Sequence, residues 1–532
     1  MTDGHTRLLV LCLDAASPDL LDAWIADGTL PNLAALVARG LAGRTRGLEG
    51  LFVGSTWPSL FTATNPAQHG FHYQMQLVPG TYRIADRTRG ALVGREPFWR
   101  ALGRAGKHVA LLDVPLARPE RGELNGVQVV EWGAHDGFFG FSTTPPDLAS
   151  WIETHWGRHP AGVSCDADRH GAEDYRELVI ALEAGVRRKT EWTLDLLQRG
   201  GWDLFMQVFS ESHCVGHQCW HLHDPGHPAY DRTMLAVAGN PMRSVYRAID
   251  RGIGEIVAAA GDVPCIVFTA HGMSHRYGAN FLVRDVLVAL GAAALPAPTV
   301  RDRAYGLAAA AWHALPAAAR APLSAIRSRV RQPNARRAGR ARGIGVVPGR
   351  SRCFPVPNGL VASGIRLNLA GREPRGILAP GADAARFVDQ LESDLLAIVD
   401  DATGAPLVAR VVRTRDLYQG EHVDDLPDLL VEWSERTAVG SLALGGAGAQ
   451  VIARSPRIGI IHGANDYGRS GEHRPGGWFV AAGPGLSQGR LAREPSLLDL
   501  APTFAALLGV ALPDAEGTPI PEIAAARTAG SA

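Results

Sequence analysis

Residues 209–221 read Phe-Ser-Glu-Ser-His-Cys-Val-Gly-His-Gln-Cys-Trp-His and so pack three histidines and a glutamate into one short stretch. His213 and His217 stand four apart. On a helical turn that spacing sends both imidazoles from one face, close enough to share a metal ion. A pair at this spacing also occurs as plain surface or core decoration. What separates the two readings is whether other segments supply more ligands.

Two further places carry residue types suited to chemistry. Asp14 follows the apolar run Leu8–Leu13, and in open α/β sheets ligands bind at the carboxyl ends of strands. The same aspartate can serve merely as a cap for the helix predicted over 18–26. Downstream, Ser55-Thr56-Trp57-Pro58 sets two hydroxyls at a helix start, because proline favours the first helical turn. Unpaired backbone N–H groups there favour an anion. Such a hydroxyl is either a simple N-cap or a nucleophile whose alkoxide and phosphoryl adduct are stabilised by that helix end.

These residues need a frame to hold them. The short apolar runs 8–13, 109–115, 204–208 and 263–268 read as buried strands, and the segments between them carry helical patterns, which predicts a mostly parallel sheet. One helix is expected over 30–39, closing on Gly40 as its C-cap, another through Phe98-Trp99, and a long amphipathic one over 173–198. Residues 133–170, rich in Gly, Pro, His and aromatics without a clear period, are expected to be loops over the site. His221 and His223 find no partner in the pattern and read as loop or pocket residues.

The chain has 532 residues, 46% of them hydrophobic and 20% charged, with a formal net charge of zero, the balance of a globular protein with a large core. Nothing in it points to nucleic acid or another polyanion. The six cysteines are scattered, some inside strand-like runs, which argues for buried thiols in a reducing compartment. No apolar stretch is long enough for a membrane span and no secretion signal is evident, so a cytoplasmic location is expected.

Asp14 after a first strand, Thr56-Trp57-Pro58, and Asn65-Pro66-Ala67-Gln68-His69-Gly70 together resemble the type I phosphodiesterase/nucleotide pyrophosphatase branch of the alkaline phosphatase superfamily. Thr269-Ala270-His271-Gly272-Met273 and Gly471-Glu472-His473-Arg474-Pro475 resemble family segments that carry metal ligands. The Thr56-Trp57-Pro58-Ser59-Leu60 element differs at both ends from what a sulfatase needs. The resemblance implies an alkaline-phosphatase-like three-layer α/β sandwich with a mostly parallel central sheet and an inserted cap. The core would fall on 1–280 and 440–532 and the cap on 281–439, with a helix over 307–326 and a basic loop near 327–352.

Carried over residue by residue, the resemblance makes Thr56 the nucleophile, places one zinc on His213, His217 and His473, and places a second on Asp14, Thr56, Ala270 and His271. Two positions depart from the pattern: His213 and Ala270 stand where aspartates are usual. Three histidines still make a sound zinc site with an open fourth position. The second site is left thin, and Glu211 is the best substitute ligand, ahead of Asp466 and Glu472. The implied activity is metal-dependent hydrolysis of a phosphodiester or pyrophosphate bond in a small anionic substrate, through a phospho-threonine. Alternatives are a phosphomonoesterase, a phosphoryl transferase, or a non-catalytic metal-binding homologue.

Overall fold

The structure, a computed structural model, describes residues 6–88, 94–120, 122, 124–133, 137–162, 169, 171–297 and 342–528. At its centre is the strand Leu8–Leu13, all six residues buried. Successive side chains of a strand point to opposite faces, so this one strand feeds two cores. Leu9, Leu11 and Leu13 pack with Leu182, Val186 and Trp192 of the helix Ala172–Gln198 and with Val245, Ile249 and Ile253 of the helix Pro241–Ala260. Leu8, Val10 and Cys12 pack with Leu60 and Phe61 of the helix Thr56–Thr62, with Phe98 and Trp99, and with Phe504. Helices therefore cover both faces, which is why the strand reads as a continuous apolar run.

The central sheet has nine strands. In spatial order they are Gly489–Arg490, Leu41–Thr45, Gly477–Ala482, Cys265–Phe268, Leu8–Leu13, Leu204–Phe209, Val109–Leu112, Gly126–Val130 and Ser142–Thr144. Gly477–Ala482 and Ser142–Thr144 run against the rest. Leu8–Leu13 pairs in parallel with Leu204–Phe209 from Leu8↔Leu204 to Leu13↔Phe209, and with Cys265–Phe268 on its other side. The three strands thus end on one edge, and Asp14, Glu211 and His271 follow those ends. The mixed α/β sandwich with a large, mostly parallel sheet is the expected fold.

A four-stranded antiparallel sheet, Cys353–Val356, Ala362–Leu367, Leu429–Trp433 and Val408–Arg413, forms a second layer system with the helix Ala382–Leu396. Its core includes Phe354, Ile365, Leu391 and Val431, and also draws in Phe52, Leu77, Ile84, Val451 and Ile458. The predicted helix over 307–326 and most of the basic segment 327–352 lie outside the described residues.

Two local expectations change. Within 133–170, expected to be loops, the chain forms the strand Ser142–Thr144 and the helix Asp147–Trp156. That helix anchors itself by Leu148 and Ile152, two apolar residues four apart, too few to give a visible period. Gly40 does cap its helix, Pro31–Arg39, but in an extended conformation. Glycine is required there because a Cβ would lie 2.5 Å from the Ala481 carbonyl oxygen of the neighbouring strand. No described helix is long and apolar enough to cross a membrane.

Candidate metal and catalytic site

Residues 209–221, left open between loop and helix by the sequence, form most of the helix Glu211–His223. This helix starts directly after the strand Leu204–Phe209 and is tied back to it: the Ser212 hydroxyl donates to the carbonyls of Phe209 and Asp14. One helix face then carries His213 and His217. Against it lies a two-stranded ribbon in which Gly272–His275 pairs with Gly471–Arg474 and Met273 sits opposite His473. Close approach is possible because both elements offer glycine: a Cβ on Gly471 would lie 2.1 Å from the Gly216 carbonyl oxygen.

The result is a compact group of imidazoles. His213 Nε2 lies 2.8 Å from His217 Nε2 and 2.8 Å from His473 Nε2. One ligand nitrogen from each ring lies within 4.8 Å of the other two, and all three residues are buried. His271 joins them, its ring centroid 4.5 Å from that of His473 and 6.0 Å from that of His213.

The second nitrogen of each ring decides what these nitrogens can do. His213 Nδ1 is 2.8 Å from Asp14 Oδ2, and His217 Nδ1 is 2.8 Å from the Gly471 carbonyl oxygen. Burial acts to raise the Asp14 pKa, but the charge and hydrogen bond of His213, with His271 and the Trp57 N–H adding, hold it well below the usual carboxylate range. Asp14 is therefore ionised and, like the carbonyl, only accepts. Both Nδ1 atoms must carry the proton, so in the neutral rings both Nε2 atoms present lone pairs. Two lone pairs 2.8 Å apart repel unless a proton or a cation sits between them. The His473 Nδ1 atom lies 3.7 Å from Glu472 Oε1. Buried His271 has no hydrogen-bond partner at either nitrogen among the described residues, and burial, opposed by Asp14, lowers its pKa. This donor set fits a tetrahedral zinc-type ion.

The other expected residues are placed as follows. Thr56 is the first residue of the helix Thr56–Thr62, 2% exposed, and its hydroxyl donates to the Phe52 carbonyl at 2.6 Å. The Ser55 hydroxyl donates to the Leu51 carbonyl. Trp57, next to Thr56, donates its indole N–H to Asp14 Oδ1 at 2.9 Å. Asp14 thus spans from the nucleophile candidate's helix to the histidines, with one oxygen committed to each. In this arrangement it orients His213 and does not belong to the three-residue ligand group.

Glu211 is not brought to the histidines. Its carboxylate faces Lys189 Nζ at 3.2 Å and His159 Nε2 at 3.1 Å, and Lys189 also meets Asp113 at 3.1 Å, all deep in the protein. A buried ammonium needs counter-charge, and Lys189 obtains it from Glu211 and Asp113. Of the weaker substitutes, Asp466 is exposed, while Glu472 is buried beside His473. Ala270, buried at 1% exposure, supplies no ligand. His221 and His223, expected in a loop or pocket, lie in the last turn of the helix Glu211–His223; His221 is buried and bonded to Ser470 Oγ at 2.9 Å, its pKa lowered by burial and then by His227 to about 3.

Sequence reasoning missed Trp57, Arg469 and Asp113. Arg469 Nη1 lies 3.0 Å from His217 Nε2, and its only signal was a basic residue four positions before His473. Asp113 follows the strand Val109–Leu112 as Asp14 follows Leu8–Leu13, a parallel that was there to be read.

The fold and site define a mixed α/β protein with a buried cluster of histidines at the carboxyl edge of its sheet. Residues 8–313, more than half of the chain, match the type I phosphodiesterase / nucleotide pyrophosphatase family, and the chain belongs to that family. No curated protein matches it. Among solved structures it is similar to phosphonoacetate hydrolase from Sinorhizobium meliloti 1021 in complex with phosphonoacetate, at 15% identity over 96% of both chains and a TM-score of 0.49. It is also similar to human ectonucleotide pyrophosphatase / phosphodiesterase 5, at 11% identity over 96% of this chain and 97% of that one, with a TM-score of 0.48.

Proposed function

We propose that the chain is a phosphoester hydrolase that cleaves a phosphodiester or pyrophosphate bond in a small anionic substrate, with Thr56 as nucleophile and one zinc ion held by His213, His217 and His473. The observation that carries this reading is the approach of the His213 and His217 Nε2 atoms to 2.8 Å while both Nδ1 atoms face acceptors, which leaves each Nε2 with a lone pair to offer. When bound there, zinc would supply Lewis-acid stabilisation of charge on a phosphoryl oxygen.

The chain's own residues do the rest. The Thr56 hydroxyl leaves the Phe52 carbonyl, gives its proton to solvent and forms the Oγ1–P bond as the bond from phosphorus to the leaving oxygen breaks. Water then attacks phosphorus, the Oγ1–P bond breaks, and Oγ1 takes back a proton from solvent. Trp57 and Asp14 hold the start of this helix in register with His213. With Asp14 so committed and alanine at position 270, one ion per chain is expected.

The test is metal analysis of the purified chain, together with hydrolysis of bis-p-nitrophenyl phosphate and of p-nitrophenyl phosphate. One zinc per chain, preference for the diester, and loss of roughly 10⁴-fold or more in Thr56→Ala with metal retained are the expected results. Two tightly held ions, or normal turnover in Thr56→Ala, would overturn it. The second reading is a non-catalytic metal-binding protein, favoured by the bond that ties Thr56 to Phe52. It takes over if the zinc-loaded protein turns over neither ester.

A further inference from the structure

This inference rests on the metal reading of the histidine triad. Arg469 is partly buried in the segment that leads into the strand Gly471–Arg474, with its guanidinium 5.4 Å from the Tyr467 ring centroid. Its Nη1 lies 3.0 Å from His217 Nε2. A guanidinium has donors and no acceptor, so it engages the His217 lone pair. That is the same lone pair through which His217 would hold an ion. One lone pair cannot serve both, so an ion on the triad displaces the guanidinium by only the short distance its neighbours permit.

The displaced cation then stands beside a second one. Asp14 and Glu472 lie next to the triad. A divalent ion and a guanidinium this close to one another repel, in a setting where burial weakens solvent screening. An anion between the two cations removes the strain. A guanidinium presents paired N–H donors that match two oxygens of a phosphoryl group.

We propose that Arg469 is the phosphoryl-binding arm of this site: with an ion on the histidines it leaves His217 and grips the non-bridging oxygens of the substrate. It would supply the positive charge for which the sequence, with alanine at 270, provides no second ion site. Because the anion relieves repulsion between ion and guanidinium, ion and phosphoryl anion must each tighten the other's binding, by the reciprocity of linkage.

The experiment is titration of the metal-stripped full chain with zinc against a competing chelator, with and without inorganic phosphate. It compares wild type, Arg469→Gln, Arg469→Lys and His217→Ala. Phosphate should tighten zinc binding by wild type about tenfold. Arg469→Gln should bind zinc more tightly than wild type in the absence of phosphate and gain nothing from phosphate. Arg469→Lys, which keeps the charge without the planar fork, should retain part of the coupling, and it also controls for a folding defect in the glutamine variant. Equal coupling in wild type and Arg469→Gln overturns the role of Arg469 and leaves the metal site standing. Failure of wild type to bind one zinc, or unchanged zinc binding by His217→Ala, overturns the metal reading and this inference with it.

Discussion

The Asp14 carboxylate accepts the Nδ1 proton of His213 at 2.8 Å with one oxygen and the indole proton of Trp57 at 2.9 Å with the other. It is thereby an orienting group for a histidine of the proposed metal site, and partners of this kind matter nearly as much as ligands do. Asp14→Asn should lower zinc affinity about 10–100-fold, without changing the number of ions bound. Chelator competition measures it. Loss of a second ion from a two-ion wild type would show that Asp14 is itself a ligand.

The helix carrying His213 and His217 meets the strand carrying His473 at a glycine pair, where His217 donates to the Gly471 carbonyl. A methyl group on Gly471 would intrude to 2.1 Å from the Gly216 carbonyl oxygen, a backbone atom that cannot turn aside. Gly471→Ala should therefore push strand and helix apart, cost about 1–3 kcal/mol of stability, and weaken zinc binding together with turnover. Denaturant unfolding and zinc titration report the two effects. Unchanged zinc affinity would mean that the approach at Gly216 does not set the triad.

How much of this was legible in the sequence follows from range. Leu8–Leu13 and the helix Pro18–Ala26 match the reading because a wholly apolar run, a proline in the first turn and helical periodicity are local signals. The four-residue spacing of His213 and His217 was local as well. The partners of their Nδ1 atoms were not, since Asp14 and Gly471 arrive from opposite ends of the chain. Glu211 was misread for a similar reason. Its direction is set by Lys189, which in an amphipathic helix looks like a solvent-facing lysine but is fully buried in the fold.

Lys189 supports the ligand helix from below, through Glu211 at its first position and through the Val208 carbonyl of the strand before it. Burial alone would lower the lysine's pKa, yet Glu211 and Asp113 raise it, so the ammonium stays charged. Lys189→Met would leave two carboxylates buried without their counter-ion. The expected cost is about 3–5 kcal/mol in unfolding free energy, with a fall in zinc affinity as the start of the helix shifts. A double variant, Lys189→Met with Glu211→Gln, should recover part of the stability. A double variant no more stable than the single one would remove the charge argument.

His69 sets an acid limit on the helix that begins at Thr56. Its Nδ1 accepts the Phe71 N–H at 3.2 Å, so Nε2 carries the proton and donates to Ser59 Oγ, 2.7 Å away on that helix. Burial, and then the charges of His422 and His72, lower its pKa from 6.5 to about 3. Between these values the unfolded chain binds a proton that the folded chain refuses. Stability from this group is therefore complete above pH 6.5 and falls as pH drops toward 3, by at most about 1.4 kcal/mol per pH unit. His72, also lowered to about 3 chiefly by burial, acts in the same sense. Glutamine can reproduce both hydrogen bonds without titrating, so His69→Gln should lose less stability between about pH 7.5 and about pH 5 than the wild type does. Urea unfolding at the two pH values measures the difference, and identical losses would assign the acid sensitivity to other groups. Below the limit, protonation of His69 removes the acceptor that Phe71 uses and places a cation behind Ser59. The fall in activity on acidification should then track the loosening of the Thr56 helix as well as the loss of zinc, and comparing the pH profiles of wild type and His69→Gln at saturating zinc separates the two.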